Sequence, residues 1–196
     1  MKHRNKKYHQ ENYVYLDYQS TTPCDPRCTE AMLPYLGDFF GNPHSTDHIY
    51  GWMSSTAVEE SLHRLAIALS CNPAEIVLTS GATEANNLAI KGLTNAPICA
   101  MNKIVVCAID HKSVIEAANR QKKTQIEVCF APVDSEGIID LNFLEDQIRK
   151  SPALVSVGLV NSELGVIQPI EDIIEVCHQH HSLVHTDASQ AIGRCQ

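Results

Sequence analysis

Aromatic side chains are scarce in this sequence: Phe, Trp and Tyr make up 6% of 196 residues, and there is a single Trp. Long apolar runs are missing too. None approaches the roughly 20 residues a helix needs to cross a bilayer, which excludes a protein built on membrane-spanning helices. Basic residues are few, with 15 Lys+Arg against 23 Asp+Glu and a formal charge of −8. That balance excludes a protein that grips nucleic acid through a general phosphate-neutralising surface. No internal repeat and no low-complexity tract interrupts the chain. The opening MKHRNKKYHQ (1–10) is basic but lacks the apolar stretch of a secretory signal, so the expected location is cytoplasmic and no membrane partner is expected. What the chain does have is hydrophobic residues, at 44%. At this length they suffice for one domain, or slightly more, with a real core, and they exclude a wholly disordered chain.

Eight cysteines, at positions 24, 28, 71, 99, 107, 129, 177 and 195, are scattered along the chain. Cys107 and Cys129 lie inside strand-like apolar runs, IVVCAI and IEVCFA, and read as buried free thiols in a reducing compartment. Cys24 and Cys28 flank Asp-Pro-Arg, a spacing that is weak evidence for a metal. Cys177, His178, His180 and His181 form a denser cluster. It reads either as a metal set or as a polar helix end with His178 and His181 on one face; the second reading is adopted, and no metal is assigned.

From about residue 74 onward, strand-like runs alternate with helical patterns. EIVLTS (75–80) precedes the helical ATEANNLAIKGL, and KIVVCAID (103–110) precedes HKSVIEAANRQKK. IEVCFAPV (126–133) ends at the turn signal DSEG (134–137), ahead of the helical LNFLEDQIRK. ALVSVGLV (153–160) leads through NSELGVIQP to IEDIIEVCHQHH, and SLVHTDA (182–188) closes the series. Five near-continuous apolar strands joined by helical crossovers predict an α/β fold, a mostly parallel sheet with helices on both faces. The first 70 residues differ, with a Pro/Gly-bearing lead-in and a helical pattern over 53–69. Two regions are therefore expected: 1–70, a lead-in and helix segment, and 71–196, the α/β region.

Ligands of such sheets gather at the carboxyl ends of the strands. There the sequence places Ser80-Gly81-Ala82-Thr83, His111, Asn161-Ser162-Glu163, and Asp187 with Gln190. Gly81 permits a tight strand-to-helix turn that leaves backbone N–H groups open to a phosphate, with the Thr83 hydroxyl as an extra donor; an ordinary helix cap is the equal alternative. His111 is either a ring that stacks on a ligand or a helix-capping histidine. Asp187 ends an apolar strand, and a carboxylate half-hidden there needs a partner: a protonated pyridine nitrogen or a neighbouring backbone donor. Gln190, one helical turn on, either donates to a phenolic oxygen of that ring or faces solvent. A phosphate cradle, an imidazole and a carboxylate together suggest a pyridoxal 5'-phosphate site.

These motifs resemble the NifS/IscS-type cysteine desulfurases, aminotransferase class V enzymes that use pyridoxal phosphate. The resemblance rests on YLDYQSTTPCDPR (15–27), FGNPHSTDHIYGW (40–52), EIVLTSGATEANNLAIKG (75–92), DHKSVI (110–115), GIIDLNFLE (137–145), VNSELGVIQPI (160–170) and HTDASQAIGR (185–194), in order along nearly the whole chain. It implies the large domain of the aminotransferase-like fold (fold type I), incomplete over 71–196 and lacking its last strands. It implies that Ala82 and Thr83 bind the cofactor phosphate, that His111 stacks on the ring, that Asp187 pairs with the pyridine nitrogen and that Gln190 touches the phenolic oxygen. Ser20, Thr21 and Thr22 match a segment near the family's active site. Ser162 stands where the family carries a cofactor-contacting Asn.

The family's Schiff-base lysine lies after a further strand, in a Ser-Gly-His-Lys-like stretch beyond Gln196; Lys91 and Lys112 do not align with it. The persulfide-forming cysteine lies later still. In the family's sheet the strand before the phosphate loop is reached only through the last two strands. The 75–80 run is therefore expected to lack its neighbours, and the Asp187 strand to have an open edge. The expectation is a truncated or split protein related to enzymes that take sulfur from L-cysteine for iron–sulfur cluster assembly, not catalytic alone. It would be completed by a polypeptide carrying the C-terminal half. The alternative is a non-catalytic remnant or interaction module that pairs with a full-length relative through the family's homodimer surface.

Overall fold

The computed structural model describes residues 13–96 and 101–195; the basic leader (1–10) and Cys99 lie outside them. The chain divides into two compact units, Met1–Val77 and Leu78–Gln196. Residue 70, where the sequence suggested a division, is the left-handed residue that ends a long helix, and the first unit runs on past it.

In the first unit, Pro26 opens helix α1 (Pro26–Met32), where its missing N–H is no loss. Asp25 caps it, accepting the Arg27 N–H at 2.8 Å while its two oxygens take the Arg27 guanidinium at 3.0 and 2.7 Å. Helix α2 (Ile49–Leu69) starts four residues ahead of the expected 53 because His48 caps it, Nδ1 accepting from the Gly51 N–H at 3.1 Å. The Trp52 indole donates to the Thr46 carbonyl at 2.8 Å and folds the GNPHST loop back on the helix. Gly51 allows that fold: a Cβ there would collide with the Ser45 carbonyl. Ser70 adopts φ 53° and stops the helix.

The second unit is a four-stranded parallel sheet of order β2–β1–β3–β4, with β1 Lys103–Cys107, β2 Glu127–Ala131, β3 Leu154–Ser156 and β4 Leu183–His185. Helices α3 (Ala82–Asn95) and α4 (Lys112–Gln121) cover one face. Helices α5 (Leu141–Ile148) and α6 (Ile170–Gln179) cover the other. Alternation along β1 divides the core between them. Ile104 and Val106 pack with Ile90, Val114, Ala117 and Ala118; Val105 and Cys107 pack with Leu144, Ile148, Ile173 and Cys177. A strand buried on both faces reads as a continuous apolar run, which is why KIVVC was legible.

The fifth run forms no ladder, in line with the expectation that 75–80 lacks its neighbours. Ile76 is extended, but residues 76–79 join no ladder among the described residues, and Val77 and Leu78 are 65% and 64% exposed. An apolar run becomes a strand only where another strand accepts its backbone hydrogen bonds, and none does here. Instead Asn72 and Glu75 form a reciprocal cap on the short helix Pro73–Glu75 just before it. The sheet ends at β4, whose outer side is one of its edges.

Cys177 is fully buried in the core beneath α6, and burial pushes its thiol up to about 11, whereas His178 is exposed. Neighbours in sequence, they occupy different faces of the helix.

The Ser45–Gly51 approach yields a test. Gly→Ala in an exposed helix ordinarily stabilises by up to about 1 kcal/mol. Gly51→Ala is expected to do the reverse, lowering stability by about 1–3 kcal/mol through the clash, measured by chemical denaturation.

Candidate functional site

The carboxyl ends of β1, β3 and β4 share one cavity of about 620 Å³. Ala82, His111, Ser162, Asp187 and Gln190 all line it, although they come from four separate stretches of chain. Thr83, beside Ala82 on the first turn of α3, is exposed and stands outside the lining set. Ser20, Thr21 and Thr22 belong to the first unit and are exposed.

Asp187 follows β4 by two residues. Its Oδ1 accepts the Ser189 N–H at 3.0 Å and the Ser189 hydroxyl at 2.6 Å, while Oδ2 accepts from the Asn86 amide at 2.8 Å. Burial favours the neutral acid, but the Ser189 hydroxyl, the Asn86 amide and the Ser189 N–H outweigh it and hold the carboxyl below its ordinary range. Asp187 is thus an ionised acceptor on the cavity wall.

Asp110, just past β1, is its opposite. One oxygen accepts the Gly158 N–H at 2.8 Å; the other is buried without a partner. Burial pushes this carboxyl up to about 7, only partly offset by the Gly158 N–H, and the Asp187 charge pushes the same way. One cavity therefore holds two acids whose surroundings drive them apart, the arrangement that separates acid from base roles on one site.

His111 caps α4, Nδ1 accepting the Ser113 N–H at 3.2 Å with the Ser113 hydroxyl 2.8 Å away. The same residue caps the helix and lines the cavity. At α3, Gly81 adopts φ 152° and ψ 179°, a backbone region open essentially to glycine alone. It offers no side-chain cap: the Glu84 N–H donates to the Gly81 carbonyl at 3.1 Å, and the Ala82 and Thr83 N–H groups receive no capping side chain. Ser80 is otherwise engaged: its N–H and hydroxyl both donate to Glu84 Oε2 at 2.7 Å. Gln190 lies in a run of turns over 189–194, not on a helix, and accepts from Arg194 at 2.8 Å. Ser162 lies in a loop pinned by Asn161, whose Nδ2 donates to the Ile109 carbonyl at 2.7 Å and whose Oδ1 accepts from Glu163 and Leu164 at 2.9 and 2.8 Å.

Sequence reasoning missed Asn86, Ser113 and Asp110. For Asn86 a signal existed: it lies one turn before the fully buried Ile90, a polar residue on the covered face of α3. Asp110 carried no signal, because the loss of its partner depends on how β1 and the Gly158 loop meet.

Residues 14–196 match the aminotransferase class V family model. The mitochondrial cysteine desulfurase of Saccharomyces cerevisiae is 46% identical over 181 residues, 92% of this chain and 36% of that protein. The mitosomal cysteine desulfurase of Encephalitozoon cuniculi is 40% identical over 185 residues, 93% of this chain and 43% of that protein. Cysteine desulfurase IscS of Rickettsia felis is 43% identical, over 92% of this chain and 44% of its own. Among solved structures, a NifS-like protein superposes with a TM-score of 0.85 at 33% identity, covering 89% of this chain and 48% of that one. The chain spans less than half the length of the curated relatives named here.

Asp110 predicts how stability responds to pH. Its folded-state carboxyl holds its proton to about pH 7, well above the ordinary value of 3.8, so the native state binds more protons between them. Its contribution therefore falls as pH rises from about 4 to 7 and stays lost above. Asp187 runs the other way, its contribution disappearing as pH falls through its lowered value. Denaturation at pH 5 and pH 8 is expected to show that Asp110→Asn, which keeps an acceptor for Gly158, suppresses part of the loss at pH 8.

Proposed function

The chain belongs to the aminotransferase class V family, whose cysteine desulfurases depend on pyridoxal phosphate, and we propose that these residues form the cofactor-holding part of a cysteine-desulfurase-like enzyme. The observation that carries this reading is the pairing of an ionised Asp187 with the uncapped start of α3 on one cavity. An anion-accepting helix start and a carboxylate kept charged suit a ligand with a phosphate and a protonated ring nitrogen. Bound there, pyridoxal phosphate would supply an electron sink for breaking bonds at an amino-acid substrate.

Each residue then has a task. Ala82 and Thr83 at the head of α3 receive the phosphate. Asp187 keeps a proton on the ring nitrogen. His111 stacks on the ring face, Gln190 donates to the phenolic oxygen, and Ser162 offers one hydroxyl where the resemblance implies an amide. The substrate of the reading is L-cysteine, and the destination of its sulfur is iron–sulfur cluster assembly. The lysine and the sulfur-accepting cysteine of that chemistry align with no residue here. Turnover therefore needs polypeptide beyond these residues, on the same chain or a second one. The buried thiols Cys107 and Cys177 suit a reducing compartment, and cytoplasm is the assignment we favour. Subcellular fractionation decides it against the mitochondrial location of the yeast relative.

A second reading, an interaction module that pairs with a full-length relative, draws on Ser162 and on the sheet ending at β4. It predicts capture of that relative with no gain in desulfurase turnover.

Titration of the protein with pyridoxal 5'-phosphate, followed by absorbance and by retention on desalting, tests the first reading. Saturable one-to-one binding is expected, weakened about tenfold or more in Asp187→Ala, the loss of one charge-assisted contact. Failure to bind, both alone and in a stoichiometric complex with the C-terminal half of a relative, would overturn it.

A further inference from the structure

The cavity's acid and its imidazole come from distant parts of the chain, yet a single buried amide touches the machinery of both. Asn86 is 3% exposed. Its Nδ2 lies 2.8 Å from Asp187 Oδ2 and 3.0 Å from Ser113 Oγ. An amide nitrogen carries two hydrogens, and both are committed here. Because Ser113 Oγ accepts from Asn86, its own single proton is free to point at the other neighbour, His111 Nδ1, at 2.8 Å. The Ser113 backbone N–H, which can only donate, points at the same nitrogen from 3.2 Å. Two donors converge on Nδ1, so the neutral ring carries its proton on Nε2.

From this geometry we infer that Asn86 is a positioning residue: one amide orients the Asp187 carboxylate and, by turning the Ser113 hydroxyl onto His111 Nδ1, reinforces the Nε2–H tautomer that the Ser113 backbone N–H already favours. Its position on α3 one helical turn after Ala82 ties both to the helix whose start faces the cavity. A carboxylate at position 86 reverses the pattern. It has no hydrogens to give, so it repels Asp187 and draws the Ser113 proton away from His111. A merely space-filling polar residue has no such linked consequence. The relevance of the tautomer to a stacked ring rests on the pyridoxal-phosphate reading; the hydrogen-bond assignment does not.

The test uses the protein without cofactor. Long-range proton–nitrogen NMR of the His111 ring gives the tautomer directly, and carboxyl carbon shifts give the titration of Asp187. In the wild type, Nδ1 is expected to show the pyridine-type signal of an acceptor. Asn86→Asp is expected to shift that signal toward that of an acceptor with one donor fewer and to raise the Asp187 midpoint by about one pH unit. Ser113→Ala removes only the hydroxyl donor and leaves the backbone N–H on Nδ1, so it should shift the Nδ1 signal toward that of an acceptor with one donor fewer while leaving the Asp187 midpoint in place; it decides the matter if Asn86→Asp does not fold. Restoration of the wild-type signals in Asn86→Gln supports the assignment further. An unchanged Nδ1 shift in folded Ser113→Ala, or an unchanged Asp187 midpoint in folded Asn86→Asp, overturns it. Absence of cofactor binding would remove the proposed function and leave these signals where they are.

Discussion

The second unit depends on one strand that has no solvent side. β1 pairs with β2 along one edge and with β3 along the other, and its two faces are sealed by different helix pairs. Every side chain from Ile104 to Cys107 is essentially inaccessible. Because all the ladders are parallel, the chain leaves each strand at the same end, and the polar residues at 110–111, 158–163 and 187–190 converge on one cavity without any local sequence signal bringing them together. The site follows from the core.

At that end the chain leaves the ladder early. The predicted run 153–160 yields a strand of only three residues, yet pairing continues as separate contacts, Val157 to the His185 carbonyl and Leu159 to the Asp187 carbonyl, both at 3.0 Å. Those contacts hold the backbone of Asp187 against Gly158, where the small residue leaves room for Asp110. The two carboxyls end up on the same wall with opposite tendencies. Asp187 has three donors; Asp110 has one and a buried oxygen with none. Burial with a single donor pushes Asp110 toward the neutral acid, whereas at Asp187 the donors outweigh burial.

Much was legible before any coordinates. Helical periodicity marked α3 to α6 because each sets apolar residues on one face, and apolar runs marked the buried strands β1 and β3 and, with them, the partly exposed edge strands β2 and β4. The motifs located five of the six assigned residues on the cavity. Two segments show what composition leaves open. Residues 76–79 have the composition of a strand but no partner. Gln190 follows β4 at helical spacing, but residues 189–194 turn without forming a helix. Composition reports what a segment can do; a ladder or a packed face has to be supplied from elsewhere in the chain.

By itself the sequence determined the α/β alternation, the family and the chemical types at the strand ends, since these depend on residue identity and local spacing. Only the tertiary structure decided the states of those groups. Asn86 meets Asp187 across 101 positions of chain and Ser113 across 27, and Asp110 meets the Gly158 N–H across 48. A carboxyl's charge and an imidazole's tautomer are set by which donors arrive within about 3 Å. Arrival over such separations is a property of packing, and no local pattern records it.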